Sequence, residues 1–310
     1  MTNLPIDRQT TSASLKEYSY SLTLEDNGTA AKTLRLVGHN KKVLELGCSV
    51  GIQSKVLREE LGCDVTGVEL NPLAARQAEA YCTSVVVGNL DQVDFEAEFP
   101  SQKFDVVLCA DVLEHLYNPT ALLNRIKPVI GPSGYVVASI PNVVHIALIF
   151  EMLHGKFDYR DTGLLDDSHI RFFTRSSLIR TFTDAGFTID HLDRGLASAY
   201  ETEFAINNCT QEDRDVLDYL RAHNEECFTY HFIVKAFPSD APIEEIQRHN
   251  SEFELSNVSM MIHNKEKQIT QLEKQITQLS SHVHWLENKL PLRLANGLKS
   301  FLRGKRREGR

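Results

Sequence analysis

The stretch VLELGCSVG at residues 43–51 decides the fold. Val43 to Leu46 is a short apolar run that reads as a strand, and it breaks directly into a turn carrying Gly47 and Gly51. Glycine lets a backbone approach a ligand closely, and a helix starting beyond such a turn aims unpaired N–H groups at it. Gln53 to Leu61 supplies the helical pattern that follows. The spacing differs from the G-x-G-x-x-G of a dinucleotide site. Alone, the loop therefore indicates only a nucleotide-like ligand.

Working outward, short apolar runs alternate with helical patterns. Asn27 to Val37 reads as a helix before the loop. Asp64 to Leu70 (DVTGVEL) is a second strand, which brings Glu69 to a strand end about twenty residues past the loop, where a carboxylate holds ribose hydroxyls. Pro72 to Tyr81 is a helix with proline in its first turn. Ser84 to Val87 is a third strand, and Gly88-Asn89-Leu90-Asp91 follows it where an adenine edge would lie. Phe104 to Cys109 is wholly apolar apart from Asp105, as in parallel strands covered on both faces. Thr120 to Ile130 is helical, Gly131-Pro132-Ser133-Gly134 reads as a turn, and Tyr135 to Ile140 as the fifth strand. A helix over Ser176 to Ala185 and strands over Thr188 to Leu192 and Thr229 to Phe237 complete the pattern. Between those strands, Gln211 to His223 is a helix capped by Thr210 and Asp213. The alternation predicts an α/β fold, a doubly wound, mostly parallel seven-stranded Rossmann-like sheet. Its ligand belongs at the carboxyl ends of the strands.

Composition removes several functions. A formal net charge of −9 argues against a nucleic-acid partner for the whole chain. The six cysteines (48, 63, 82, 109, 209, 227) form no C-x-x-C pair, which suits a reducing cytoplasm and offers neither a zinc site nor a disulfide framework. The polar opening residues have no apolar signal core, and no run reaches the ~18 apolar residues of a membrane span.

The chain divides into a lead-in over 1–27, a main domain over 28–238, a linker over 239–254, a coiled coil over 255–290 and a basic amphipathic tail over 291–310. In the coiled coil, apolar residues recur at 3-4 spacing from Leu255 to Leu290, and KQITQLE is followed directly by KQITQLS. β-Branched residues at the a positions with leucine at d favour a parallel homodimer. The tail sets Leu294, Leu298, Phe301 and Leu302 among arginines and lysines, which suits peripheral contact with the inner face of a membrane or a solvated terminus equally.

VLELGCSVG, the GVEL strand end and FDVVLCADVLEHL together resemble the class I S-adenosylmethionine-dependent methyltransferases, the last resembling the ubiquinone-biosynthesis type. The resemblance covers about residues 28 to 237. It implies S-adenosylmethionine as cofactor, with Glu45, Gly47, Cys48 and Gly51 on its methionine and ribose side and Glu69 and Leu70 at the ribose. It also implies Asn89 and Leu90 at the adenine, and Cys109, Ala110 and Asp111 beside the methionine portion. Asn89 stands where the family often has aspartate, and Ser49 where glycine is frequent, an exchange that presupposes ordinary backbone angles. The segment SIPNVVHIALIFEMLHGKFDYRDTGLLDDSHIRFFT (139–174) resembles a subgroup encoded among bacterial cell-surface polysaccharide genes. That implies a saccharide or lipid-linked saccharide acceptor.

The acceptor hydroxyl must lose a proton, a role that suits histidine near neutral pH. His169 is the favoured base and His145 the second; His115 is a third candidate, better read as orienting its turn, and stands among the candidate acceptor-binding residues. Asn142, Arg171 and Tyr18 are candidate acceptor-binding residues. No His or carboxylate cluster has metal-ligand spacing, so metal independence is expected. Methylation of a surface-glycan sugar leads; a quinone- or phenol-type O- or C-methyltransferase and a non-catalytic dimeric scaffold remain as alternatives.

Overall fold

The computed structural model describes residues 22–204, 206, 209–253, 274–276, 278–281 and 283. The chain forms two units, Met1–Ser251 and Glu252–Arg310.

The first unit is built on seven strands: β1 Lys42–Leu46, β2 Asp64–Glu69, β3 Ser84–Val87, β4 Phe104–Ala110, β5 Ile130–Pro141, β6 Phe187–Leu196 and β7 Thr229–Pro238. Their order is β3-β2-β1-β4-β5-β7-β6, and only β7 runs against the rest. The helices are α1 Thr29–Val37, α2 Ile52–Glu59, α3 Pro72–Ala78, α4 Phe95–Glu98, α5 Pro119–Ile126, α6 Ile146–Leu153, α7 Arg175–Asp184 and α8 Gln211–His223. The direction of winding reverses between β1 and β4, so the crevice for a ligand opens at their carboxyl ends.

Val106, Val107, Leu108 and Cys109 of β4 are all fully buried, because helices cover both faces of the sheet there. On one face α1 lays Leu34 and Val37 into a core with Val43, Val106 and Val137. Each such aliphatic side chain stabilises the fold by roughly 1.5–3 kcal/mol. Tyr135 of β5 pins the end of α1, its hydroxyl donating to the Val37 carbonyl at 2.8 Å. The Thr210–Asp213 capping box of α8 forms as expected.

Three local expectations are corrected. Gly131 to Gly134 is not a turn but part of β5, inside an irregularity where Phe104 pairs with Ile130 and Val106 already with Tyr135. A Cβ on Gly134 would lie 2.7 Å from the Phe104 carbonyl oxygen, so glycine is what lets the extra residues stay in the sheet. The linker over 239–254 holds a helix from residue 243 onward. It docks through buried Ile246 and through Asn250, which donates to Thr183 Oγ1 and the Phe187 carbonyl and accepts from the Ile189 N–H at 2.8 Å. Segment 146–153, left without an element in the sequence reading, is the apolar helix α6, which shares a second small core with Phe204, Ile206 and Leu217.

Most of the coiled-coil stretch, the basic tail and Tyr18 lie outside the described residues. Those described between 274 and 283 are helical, with Ile276, Leu279 and Val283 exposed. Among the described residues no helix is long and apolar enough to cross a membrane.

Candidate active site

The loop after β1 is held by backbone bonds and by one carboxylate. The Gly47 N–H donates to the Val68 carbonyl at 2.7 Å, and the Gly51 N–H to the Cys48 carbonyl at 2.9 Å. Gly47, Ser49 and Gly51 all have left-handed backbone angles, with φ of 70°, 49° and 85°. Glycine adopts these freely; Ser49 does not, so its ordinary-angle expectation is corrected. What holds Ser49 there is Glu69, whose Oε2 accepts the Ser49 N–H at 2.9 Å while Oε1 accepts the Asn71 N–H at 2.8 Å. Glu69 thus links the loop to the carboxyl end of β2. Gly51 caps α2 beside α3, where a Cβ would come within 2.9 Å of the Ala78 Cα.

The loop forms one wall of a cavity of about 340 Å³. Gly47, Cys48, Ser49 and Val50 line that wall, with Glu45 beneath them. Glu45 is buried and accepts the Ser54 hydroxyl at 2.5 Å; burial pushes its carboxyl up to about 8 against that hydrogen bond. At the end of β4, Ala110 and Asp111 reach the cavity. Asp111 has a φ of 53°, another strained position, and accepts the Ser139 hydroxyl at 2.9 Å while His231 Nε2 lies 3.4 Å away.

The opposite wall is assembled from distant segments. Glu114 and His115 sit in the short 3-10 turn Leu113–His115. Ile170 and Arg171 both donate their N–H groups to the Glu114 carbonyl at 2.9 Å, which docks the segment carrying Thr162, Gly163, Asp166 and His169 over the site. His169 Nδ1 lies 3.2 Å from the Leu164 carbonyl and His115 Nδ1 3.2 Å from the Ser168 carbonyl. A carbonyl only accepts, so each Nδ1 carries the proton when the ring is neutral and each Nε2 presents a lone pair. The two rings meet edge to face at 4.8 Å, and His169 Nε2 is 4.0 Å from Glu114 Oε1. Burial, aided by the His115 charge, lowers the His169 pKa. Burial likewise holds the Glu114 carboxyl well above the ordinary range, and Asp111 adds to it.

The structure therefore brings together Glu45, Gly47, Cys48, Ala110, Asp111, His115 and His169. Leu70 and Asn89 lie exposed at the ends of β2 and β3, on the Glu69 side of the loop, and Leu90 is half-buried there. Cys109 is wholly buried in β4 and does not reach the cavity.

Three acceptor-side expectations are corrected. His145 is fully buried as the cap of α6, Nδ1 accepting the Ala147 N–H and Nε2 lying 3.1 Å from the Ala197 carbonyl, so neither nitrogen faces an acceptor. Asn142 is equally buried and spends its amide on the Glu226 and Thr229 carbonyls and the Val144 N–H. Arg171 points at the Tyr117 carbonyl and lines a separate recess with Phe172 and Ser177. The residues missed are Glu114, Asp166 and His231. His231 had no signal in an apolar strand pattern; Glu114 beside His115 had one, a carboxylate and an imidazole at a strand end. Glu114, His115 and His169 bring ligand atoms within 4.8 Å of one another, a convergence that their spacing in the sequence does not announce.

The cavity fits a cationic, nucleoside-bearing ligand. Glu45 and Asp111 place carboxyl groups along it, Glu69 stands at the neighbouring strand end, and the Gly47 Cα leaves room where a Cβ would come within 3.0 Å of Val112. A family model described as a methyltransferase domain matches residues 24–192. Among curated proteins, ubiquinone biosynthesis O-methyltransferase of Psychrobacter arcticus is 30% identical over 167 residues, covering 51% of this chain and 63% of the relative. The protein of that name from Paraburkholderia phymatum is 28% identical over 176 residues, 53% of this chain and 75% of the relative. The aligned part thus spans less than two thirds of the first relative's length. Among solved structures, an S-adenosylmethionine-dependent methyltransferase from Archaeoglobus fulgidus aligns at 20% identity and a TM-score of 0.48, over 67% of this chain and 91% of its own. The family match takes in more than half of the 310 residues. The chain therefore belongs to the methyltransferase-domain family, with S-adenosylmethionine as its cofactor.

Proposed function

We propose that this chain O-methylates a small hydroxylated molecule, of phenol or quinol type, in preference to a saccharide of a surface glycan. The observation that carries this reading is the cavity itself, which joins the Gly47–Val50 loop to the Glu114–His115–His169 wall. The relatives' name, ubiquinone biosynthesis O-methyltransferase, favours the same acceptor class. The glycan reading loses support because Asn142 and His145, from its diagnostic segment, serve the fold.

When bound, S-adenosylmethionine supplies an electrophilic methyl group on its sulfonium. Gly47, Cys48 and Glu69 hold the donor side, so that the acceptor oxygen is aligned by the opposite wall. The Glu114–His115–His169 wall and the Asp111–His231 pair draw the proton from the acceptor hydroxyl. A neutral His169, its Nδ1 tied to Leu164, keeps a lone pair available for that purpose near neutral pH. Thr162, Gly163 and Asp166 line the cavity beside His169 on the covering segment.

The test is methyl transfer from radiolabelled S-adenosylmethionine by the purified full chain, offered hydroxylated benzoates and quinols in one set and mono- and oligosaccharides in another. Label in the phenolic set is expected. Label confined to saccharides would overturn the acceptor reading.

A further inference from the structure

We propose that Cys48 and Cys82 form a reversible disulfide, made when a hydroperoxide enters the empty cofactor space, and that this bond switches cofactor binding off. Three observations carry it. First, the two sulfurs meet over one glycine of β2. A Cβ on Gly67 would lie 2.6 Å from the Cys48 Sγ and 3.4 Å from the Cys82 Sγ, so the missing side chain is what seats both thiols together. Second, Cys48 lines the cavity between Gly47 and Ser49, whereas Cys82, between α3 and β3, is buried behind it. A small oxidant therefore reaches the pair through the cofactor's own space. Third, the two thiols are chemically unequal. Cys48 donates a hydrogen bond to the Cys82 sulfur, which holds the Cys82 thiol below its ordinary value against burial, and the Arg58 charge adds to this. The thiolate is the nucleophile of sulfur chemistry, so Cys82 is the reactive member and Cys48 the resolving one. Methyl transfer as described above takes no proton or electron from either thiol.

With hydrogen peroxide as oxidant, the Cys82 thiolate attacks one oxygen, the O–O bond breaks, hydroxide leaves and Cys82 becomes a sulfenic acid. That hydroxide takes the Cys48 proton and becomes water. The Cys48 sulfur then attacks the Cys82 sulfur, the S–O bond breaks, and the second hydroxide recovers from solvent the proton that Cys82 first lost. Two thiols are oxidised to one disulfide and the peroxide is reduced to two waters; a dithiol reverses the bond by exchange. An S–S bond of about 2.05 Å is far shorter than any contact between unbonded sulfurs, so Cys48 must move toward Cys82. Its neighbours Gly47 and Ser49 both have left-handed backbones, fastened to the Val68 carbonyl and the Glu69 carboxylate. Drawing the Cys48 side chain inward pulls the loop off the geometry that receives the donor. Bound cofactor covers the same wall and shields the pair. The device depends on cofactor binding and not on which acceptor is methylated.

The experiment treats the full chain, reduced and freed of small thiols, with hydrogen peroxide in the presence and absence of S-adenosylmethionine. Without cofactor, the intact mass should fall by two hydrogens and the non-reduced peptide map should show a Cys48–Cys82 link. Cofactor affinity, read by calorimetry, should drop at least about tenfold. Dithiothreitol should restore it, and saturating cofactor should slow the appearance of the link. Cys82→Ser should bind cofactor as the untreated wild type does and keep that affinity after peroxide. Cys209→Ser, at a half-buried thiol against the second small core, should respond to peroxide as wild type does. If Cys82→Ser folds poorly, the wild-type peptide map and the affinity of the linked chain decide by themselves. Absence of the link in oxidised wild type, or a linked chain that binds cofactor as tightly as the reduced one, would overturn the proposal. Sulfinic or sulfonic acid at either cysteine in place of the link would do the same.

Discussion

Cofactor binding beside Glu45 should be a proton-linked event. Its carboxyl is buried, and burial lifts it to about 8 despite the 2.5 Å bond from Ser54. At pH 7 a group of that pKa is roughly nine-tenths protonated. S-adenosylmethionine carries positive charge on its sulfonium and amino groups, and a cation beside Glu45 favours the carboxylate. If binding restores the ordinary value of 4.5, about 0.9 proton is released at pH 7. The sign follows directly: affinity rises with pH, because fewer carboxyls remain to be deprotonated. Between pH 6 and 7.5 the linkage amounts to roughly twentyfold in Kd, and this window stays below the α-amino range of about 7.7–8.0, where the ligand itself titrates. Calorimetry at pH 7 in two buffers of different ionisation enthalpy reads the proton count, and a Kd series reads the slope. Glu45→Gln, which mimics the neutral carboxyl and still accepts from Ser54, should bind at least about tenfold more weakly with no slope across the window. The reasoning is refuted if wild-type affinity is flat from pH 6 to 7.5 and the binding heat is independent of buffer.

Two further outcomes follow from packing and from a buried ion pair. A Cβ on Gly67 would lie 2.6 Å from the Cys48 Sγ, so Gly67→Ala should destabilise the fold by about 1–3 kcal/mol and weaken cofactor binding through the displaced loop. Cys48→Ala in the same chain should restore most of both, as thermal melts and the same calorimetry would show. Glu226 accepts two bonds from the Arg194 guanidinium at 2.7 Å; burial opposes its ionisation, but Arg194 and Thr229 win and lower its pKa. Its stabilising share is present above the unfolded value near 4.5 and is lost as pH falls toward the depressed folded value. Urea midpoints from pH 6 to 3 should therefore fall more steeply for wild type than for Glu226→Gln.

The donor half of the site was legible because it is written in contiguous motifs at strand ends. Glu45 to Gly51 and Glu69 each bring their chemistry and their position in one stretch, and the parallel order β2-β1-β4 sets those stretches side by side. Even there, one local inference failed: Ser49 looked compatible only with ordinary angles, whereas a side chain twenty positions on holds it in the left-handed region. Strand β5 and the helix from residue 243 were misread for a similar reason. A Gly-Pro-Ser-Gly run and a proline-flanked segment have the local chemistry of turns and linkers, and tertiary contacts at Phe104 and Asn250 override it.

The acceptor half illustrates a different limit. Its wall takes Glu114 and His115 from the turn after β4, His169 from a segment some fifty residues later, and His231 from β7. No spacing rule connects them. What does connect them is the antiparallel insertion of β7 between β5 and β6, which sets His231 opposite Pro141 at the end of β5. The Glu114 carbonyl adds to this by capturing the Ile170 and Arg171 N–H groups. A single residue thus does two things: its backbone fastens the covering segment, and its side chain is the orphan carboxyl beneath it. A substitution of Glu114 removes the side-chain carboxyl and keeps that backbone acceptor, since every residue carries a main-chain carbonyl. This is why Glu114→Gln is the sharper probe of the cavity's chemistry. Loss of methyl transfer with the covering segment still docked assigns the effect to the carboxyl group, and amide exchange at Ile170 and Arg171 would report whether docking survived.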